Sequence, residues 1–153
     1  MYSKQEASQL RQEFWTAFGL YMQPLKSSEG EKVNWINYKT GEKSVHFRMQ
    51  ADAASAFIGI EMSHTDPGLQ ELYFAQFTEL RSLLEMETGE VWTWSLHMQD
   101  EYGKTVSRIY KSIFDASIYN KNDWPQLISF FKPGIIALDA FWNQVKYGFE
   151  ALR

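Results

Sequence analysis

At 153 residues with a formal net charge of −4, the chain is the size of one domain and too acidic to coat nucleic acid nonspecifically, because that affinity comes from many Lys and Arg neutralising phosphates. It contains no cysteine, which excludes disulfides, thiol nucleophiles and thiolate metal sites and suits a reducing compartment. The polar start Met1-Tyr2-Ser3-Lys4-Gln5-Glu6 offers no export signal and no apolar run approaches the roughly 18 residues of a membrane span, so a cytoplasmic protein is expected.

Ser3 and Glu6 have capping-box spacing, which starts a helix whose stripe is Leu10, Phe14, Phe18, Tyr21, Met22 and Leu25. Pro24 and the run Ser27-Ser28-Glu29-Gly30 end it. Residues 33–38 are β-branched and aromatic, and Thr40-Gly41 offers a turn before Val45, Phe47 and Met49 alternate with Ser44, His46 and Arg48. That pattern predicts a hairpin with one wet face. Residues 57–62 are apolar on both faces except at Glu61, as expected of a central strand covered on both sides.

Asp66 before Pro67 caps a second helix, with Leu69, Leu72, Tyr73, Phe77, Leu80 and Leu84 at helical spacing up to Gly89. Residues 91–98 and 105–111 predict a second hairpin around a turn at 100–103, with Trp92, Trp94, Leu96 and Met98 on one face. Asn122 or Asp123 caps a final helix over 124–153, which Pro133-Gly134 is expected to break or kink. The fold expected is a single α+β domain over 1–153. Its order is α-β-β-β-α-β-β-α, with a mixed or antiparallel sheet flanked by helices and a core rich in aromatics, which make up 16% of the chain.

A helix, three strands, a helix and a strand in succession correspond to the core of the PD-(D/E)XK nuclease-like fold. Those enzymes need an acid on the second strand and an acid-x-Lys on the third, to hold Mg2+ and to orient the attacking water. Here the third strand reads Ile60-Glu61-Met62-Ser63, with serine in place of lysine, and residues 44–49 contain no acid. A degenerate core follows, with no catalytic residue, metal or cofactor expected. The alternative is a divergent metal-dependent nuclease with Glu61 and one of Glu13, Asp52 or Asp66 as ligands.

An acid inside a two-sided apolar strand needs a hydrogen-bonded or cationic partner to offset its desolvation. Arg108 is the natural one, sharing a strand face with Val106 and Tyr110. His46, His64 and His97 lie in separate elements and read as surface residues rather than as a metal set. His64-Thr65-Asp66, at the end of the central strand, is the best place for part of a pocket, with helix capping the other job there. Trp92 and Trp94, with Tyr102, Lys104, Arg108 and Lys111 opposite, suggest a face that stacks unpaired bases, against the plainer reading that a helix covers both tryptophans.

Phe14-Trp15, Ile60-Glu61-Met62, Leu84-Glu85 through Gly89 to Trp92-Thr93-Trp94, Ser107-Arg108-Ile109 and Trp124 together resemble, over nearly the whole chain, the uncharacterised bacterial family called Domain of Unknown Function 4268. In larger members a similar domain follows an N-terminal nuclease-like domain. The resemblance therefore implies a non-catalytic accessory or binding domain beside a DNA-processing or defence module, with a protein or nucleic acid as partner. It also places Glu61, Glu85, Trp94 and Arg108 on motif positions, and with His64 these form the candidate binding cluster. A homodimer built on exposed aromatics is a further reading.

Overall fold

Ser3 opens the first helix by accepting a hydrogen bond from the Glu6 N–H at 3.1 Å, as the capping spacing requires. The computed structural model describes residues 3–153; Met1 and Tyr2, at the head of the polar start, lie outside the described residues. Helix α1 (Lys4–Met22) buries Phe14, Phe18 and Met22, while Tyr21 faces solvent.

Residues 33–38 form no strand, which corrects the expected first hairpin. Asn34 is the reason: its Oδ1 accepts from the N–H groups of Ile36 and Asn37 at 3.1 and 3.0 Å, a local turn that competes with sheet pairing. The segment is instead pinned through side chains. Trp35 Nε1 donates to the Leu25 carbonyl at 2.9 Å, and the Tyr38 hydroxyl donates to buried Asp139 at 2.5 Å.

The hairpin that does form joins β1 (Val45–Ala51) to β2 (Ser55–Met62), with Asp52 Oδ1 accepting from Ala54 N–H and Ser55 N–H in the turn. A second hairpin joins β3 (Thr93–Gln99) to β4 (Thr105–Phe114), and β4 pairs with β2, so the sheet runs β1-β2-β4-β3 with every neighbour antiparallel. β2 and β4 are the inner strands, so 57–62 is central as expected, but helices cover only the Ile58–Ile60 face of β2, which corrects the expected cover on both sides. A bulge between Ser95 and Met98 turns Met98 toward Val106, on the face opposite Trp94, so the expected Trp92-Trp94-Leu96-Met98 row does not exist.

The second helical run divides at Leu80 into α2 (Pro67–Glu79) and α3 (Arg81–Thr88). The last helix, α4 (Trp124–Val145), is not interrupted at Pro133, so of the expected break or kink no break occurs there; the α-helix ends at Val145 and a 3-10 segment, Lys146–Leu152, follows. Gly134 has a packing reason. A Cβ on it would meet Ile58 Cδ1 at 2.9 Å, so α4 lies almost directly on β2.

One core results. The helices cover the sheet face that carries Phe47, Ile58, Ile60 and Ile109, and rings from α1, α4 and the closing 3-10 turn fill the space between. Phe149 alone packs at 4.6 Å from Phe77 and 5.1 Å from Trp142, centroid to centroid. The α+β class with an antiparallel sheet and flanking helices is as the sequence predicts, but two consecutive strands, not three, follow α1. Among the described residues no helix is long and apolar enough to cross a membrane.

Candidate functional site

The alternation that sends Ile58 and Ile60 into the core sends Phe57, Gly59 and Glu61 to the other face of β2. None of the side chains on that second face, among them His46, Arg48, Phe57, Glu61, Arg108 and Tyr110, belongs to the hydrophobic core. It is a polar face on which long side chains, not helices, shield what lies beneath.

Glu61 and Arg108 are direct partners in the β2–β4 register. Arg108 Nη2 and Nε donate to Glu61 Oε1 at 2.6 and 3.1 Å, and both residues are buried. The expected pair therefore forms. The other oxygen, Oε2, accepts from Arg48 Nη1 at 2.9 Å, and Arg48 Nη2 reaches on to Gln50 at 3.0 Å and to Glu101, in the β3–β4 turn, at 3.2 Å. Arg108 is further held by rings, its guanidinium carbon 4.3 Å from the Phe57 centroid and 5.9 Å from that of Tyr110. A carboxylate with a guanidinium on each oxygen has no oxygen left uncommitted.

Arg48 was missed from sequence. The signal was its place on the wet side of the strand next to Glu61, and only the register, which sets it opposite Gly59, brings it within reach of that carboxylate.

The other candidates lie elsewhere, so the five do not form one cluster. Trp94 is on the helix-covered face, edge-on to Phe74 at 5.7 Å, with Arg81 5.3 Å above its ring and Glu85 bound to Arg81 at 3.1 Å one helical turn away. Trp92 is buried and Trp94 is partly buried against Phe74 of α2, in keeping with the plainer reading of the tryptophans. His64 lies 4.3 Å from the Tyr73 ring at the end of β2, and its buried Nδ1 has no hydrogen-bond partner among the described residues. Burial holds the His64 and His46 imidazoles below the usual histidine range, with Glu42 and Glu61 respectively pulling the other way.

The acids offered as companions for Glu61 are occupied apart from it. Glu13 faces Lys121 at 3.4 Å, Asp52 holds the β1–β2 turn and Asp66 caps α2 through the Gly68 N–H at 2.8 Å.

Beside the polar face, a cleft of about 520 Å³ opens along β1, lined by His46, Arg48, Glu61, Tyr102 and Lys104 and walled by residues 36–38. Its lining carries two cations, Arg48 and Lys104, and two carboxylates, Glu61 and Asp100.

These features define an α+β domain with one helix-covered sheet face and one polar face closed by an arginine–carboxylate network. The chain belongs to the family described as a domain of unknown function, DUF4268, whose model matches residues 10–146. No curated protein and no solved structure matches it.

Proposed function

We propose that this chain is a non-catalytic binding domain that engages a partner protein beside its polar sheet face, in the cytoplasm. The observation that carries this reading is the state of Glu61: its two oxygens are taken by Arg108 and Arg48, and Glu13, Asp52 and Asp66 each serve another element. That donor set suits a charge network that fixes a surface better than a magnesium site. The balanced charge around the cleft favours a protein partner over nucleic acid. An accessory role beside a DNA-processing or defence enzyme, and any restriction-endonuclease-like ancestry, rest on the family resemblance alone and belong to the same proposal.

The test is incubation of the purified protein with linear and single-stranded DNA in Mg2+ or Mn2+, wild type against Glu61→Gln. The expected result is no cleavage by either. Metal-dependent cleavage that disappears in Glu61→Gln would make the chain a divergent nuclease and end this reading. Tight, salt-dependent binding of single-stranded DNA that weakens in Arg48→Ala would move the partner from protein to nucleic acid.

A further inference from the structure

Strand β1 is an edge of the sheet, and its phase is fixed by two main-chain hydrogen bonds. Ser63 N–H donates to Ser44 O at 2.8 Å, and Asp52 N–H donates to Ser55 O at 2.9 Å. In an antiparallel ladder these bonds recur at every second residue, so His46, Arg48 and Gln50 bond to β2 while Val45, Phe47, Met49 and Ala51 direct their N–H and C=O groups away from the sheet. Val45 is satisfied there, by the Glu42 carbonyl at 3.2 Å and the Thr40 hydroxyl at 2.7 Å. The outward main-chain groups of Phe47, Met49 and Ala51 bond to none of the described residues; Phe47 and Ala51 are buried as residues, and half-buried Met49 is the accessible middle of this edge.

The opposite edge is treated differently. The bulge in β3 interrupts its pairing, His97 takes φ 54° and its N–H is turned inward onto the Ser107 hydroxyl at 3.0 Å, a device that blunts an edge. In contrast, β1 keeps regular register through all seven of its pairs and carries no proline. The cleft runs along this regular edge. Phe47, Met49, Ile36, Asn37 and Tyr38 are among its lining; the Asn34 turn keeps residues 36–38 from pairing with the strand, while the Tyr38 ring stacks on Phe47 at 4.9 Å. The segment that the sequence pattern would have paired with β1 thus stands beside it as a wall.

We propose that the free edge of β1 accepts an extended peptide segment of a partner protein, which adds as a fifth strand and alternates apolar with acidic side chains. This rests on the reading of the chain as a binding domain. Main-chain groups without partners ask for another polypeptide backbone, and the alternation follows from parity. Peptide side chains on the helix-covered side meet Ile36 and Tyr38, and those on the polar side meet Arg48, which is one-third exposed, and Lys104. The Lys104 ammonium has no ion pair or hydrogen bond to a described residue, whereas Glu61, Glu101 and Asp100 already accept from arginines or from turn N–H groups. A second copy of β1 is a poor match, because Val45-His46-Phe47-Arg48-Met49-Gln50-Ala51 brings a cation and no acid to that surface.

The experiment is fluorescence anisotropy with a labelled, end-blocked nonapeptide of alternating Val and Glu, against its Val and Lys counterpart. Saturable binding of the acidic peptide alone is expected. Met49→Pro deletes one outward N–H without touching the β1–β2 bonds and should weaken binding about tenfold, the effect of roughly one hydrogen bond, with the thermal midpoint kept. Lys104→Glu should weaken it as well. If Met49→Pro fails to fold, N-methylating the peptide along one edge does the same work: methylation on the edge facing β1 should abolish binding, and methylation on the far edge should not.

Equal binding to wild type and Met49→Pro, indifference to which peptide edge is methylated, or no binding of the acidic peptide would each overturn the proposal. So would a wild-type dimer by sedimentation that Met49→Pro dissociates, since the edge would then belong to a second copy. DNA cleavage lost in Glu61→Gln defeats the binding-domain reading itself, and its absence together with absent peptide binding defeats only the strand-addition proposal.

Discussion

Glu61 and Arg108 face each other across the β2–β4 ladder, joined by hydrogen bonds of 2.6 and 3.1 Å to one carboxylate oxygen, while Arg48 takes the other at 2.9 Å. Removing one partner of a buried pair leaves the other charged and poorly solvated. Arg108→Met should lower stability by about 3 kcal/mol, the mild end of that range because Arg48 remains, and Glu61→Gln by a similar amount because Arg108 is left uncompensated. The double variant Glu61→Leu/Arg108→Met should recover most of either loss in urea unfolding; losses that simply add would mean that the two groups do not act as a pair.

Gly59 packs its α-carbon against β4. A Cβ there would sit 2.6 Å from both the Ile109 carbonyl oxygen and Tyr110 Cβ, atoms that cannot swing aside. Gly59→Ala is therefore expected to cost about 3 kcal/mol by forcing the two inner strands apart. At Gly134 the atom met first is the mobile end of Ile58, so Gly134→Ala should cost less and be relieved by Ile58→Val. Thermal melts showing the reverse order would contradict this account of both positions.

Burial depresses the His64 imidazole, so the folded state favours its neutral form. Between the depressed folded value and the ordinary one of about 6.5 the unfolded chain binds more protons, so this contribution is complete above about pH 6.5 and is lost as pH falls through the folded value. The urea midpoint should drop between pH 7.5 and pH 5, and drop less in His64→Gln. A midpoint falling equally in both proteins would place the effect in other groups.

Phe149, in the closing 3-10 segment, is fully buried among Phe77, Trp142 and Tyr73. Phe149→Ala should cost about 4 kcal/mol, the usual loss for emptying such a site. Exposed Tyr147, two residues earlier, should tolerate alanine with a change of about 0.5 kcal/mol or less in the same denaturation experiment.

Much of the architecture was legible in short-range pattern. The Ser3 cap, the Asp66-Pro67 start, the central character of β2, the second hairpin and the Glu61–Arg108 partnership all follow from residue type and alternation. Residues 33–38 misled because their β-branched and aromatic side chains say strand while one asparagine side chain captures the N–H groups a strand would use. Pro133 does not divide the helix because a missing N–H is a local fact, whereas Gly134, Ile135 and Leu138 are buried over the next turn and Gly134 lies against Ile58 of β2.

The candidate site divides along the same line. Alternation alone puts Glu61 and Arg108 on one face of their strands, since a period of two is written in the chain. Which residues share that face across strands depends on register and strand order, and these are set by turns and long-range pairing. Hence Arg48 joined the network unannounced, Glu85 and Trp94 fell to the opposite side of the sheet, and His64 lay apart at the strand end. The sequence by itself determined which side chains needed a partner; the tertiary structure decided which partner each received, because contacts between distant segments exist only once the backbone has paired.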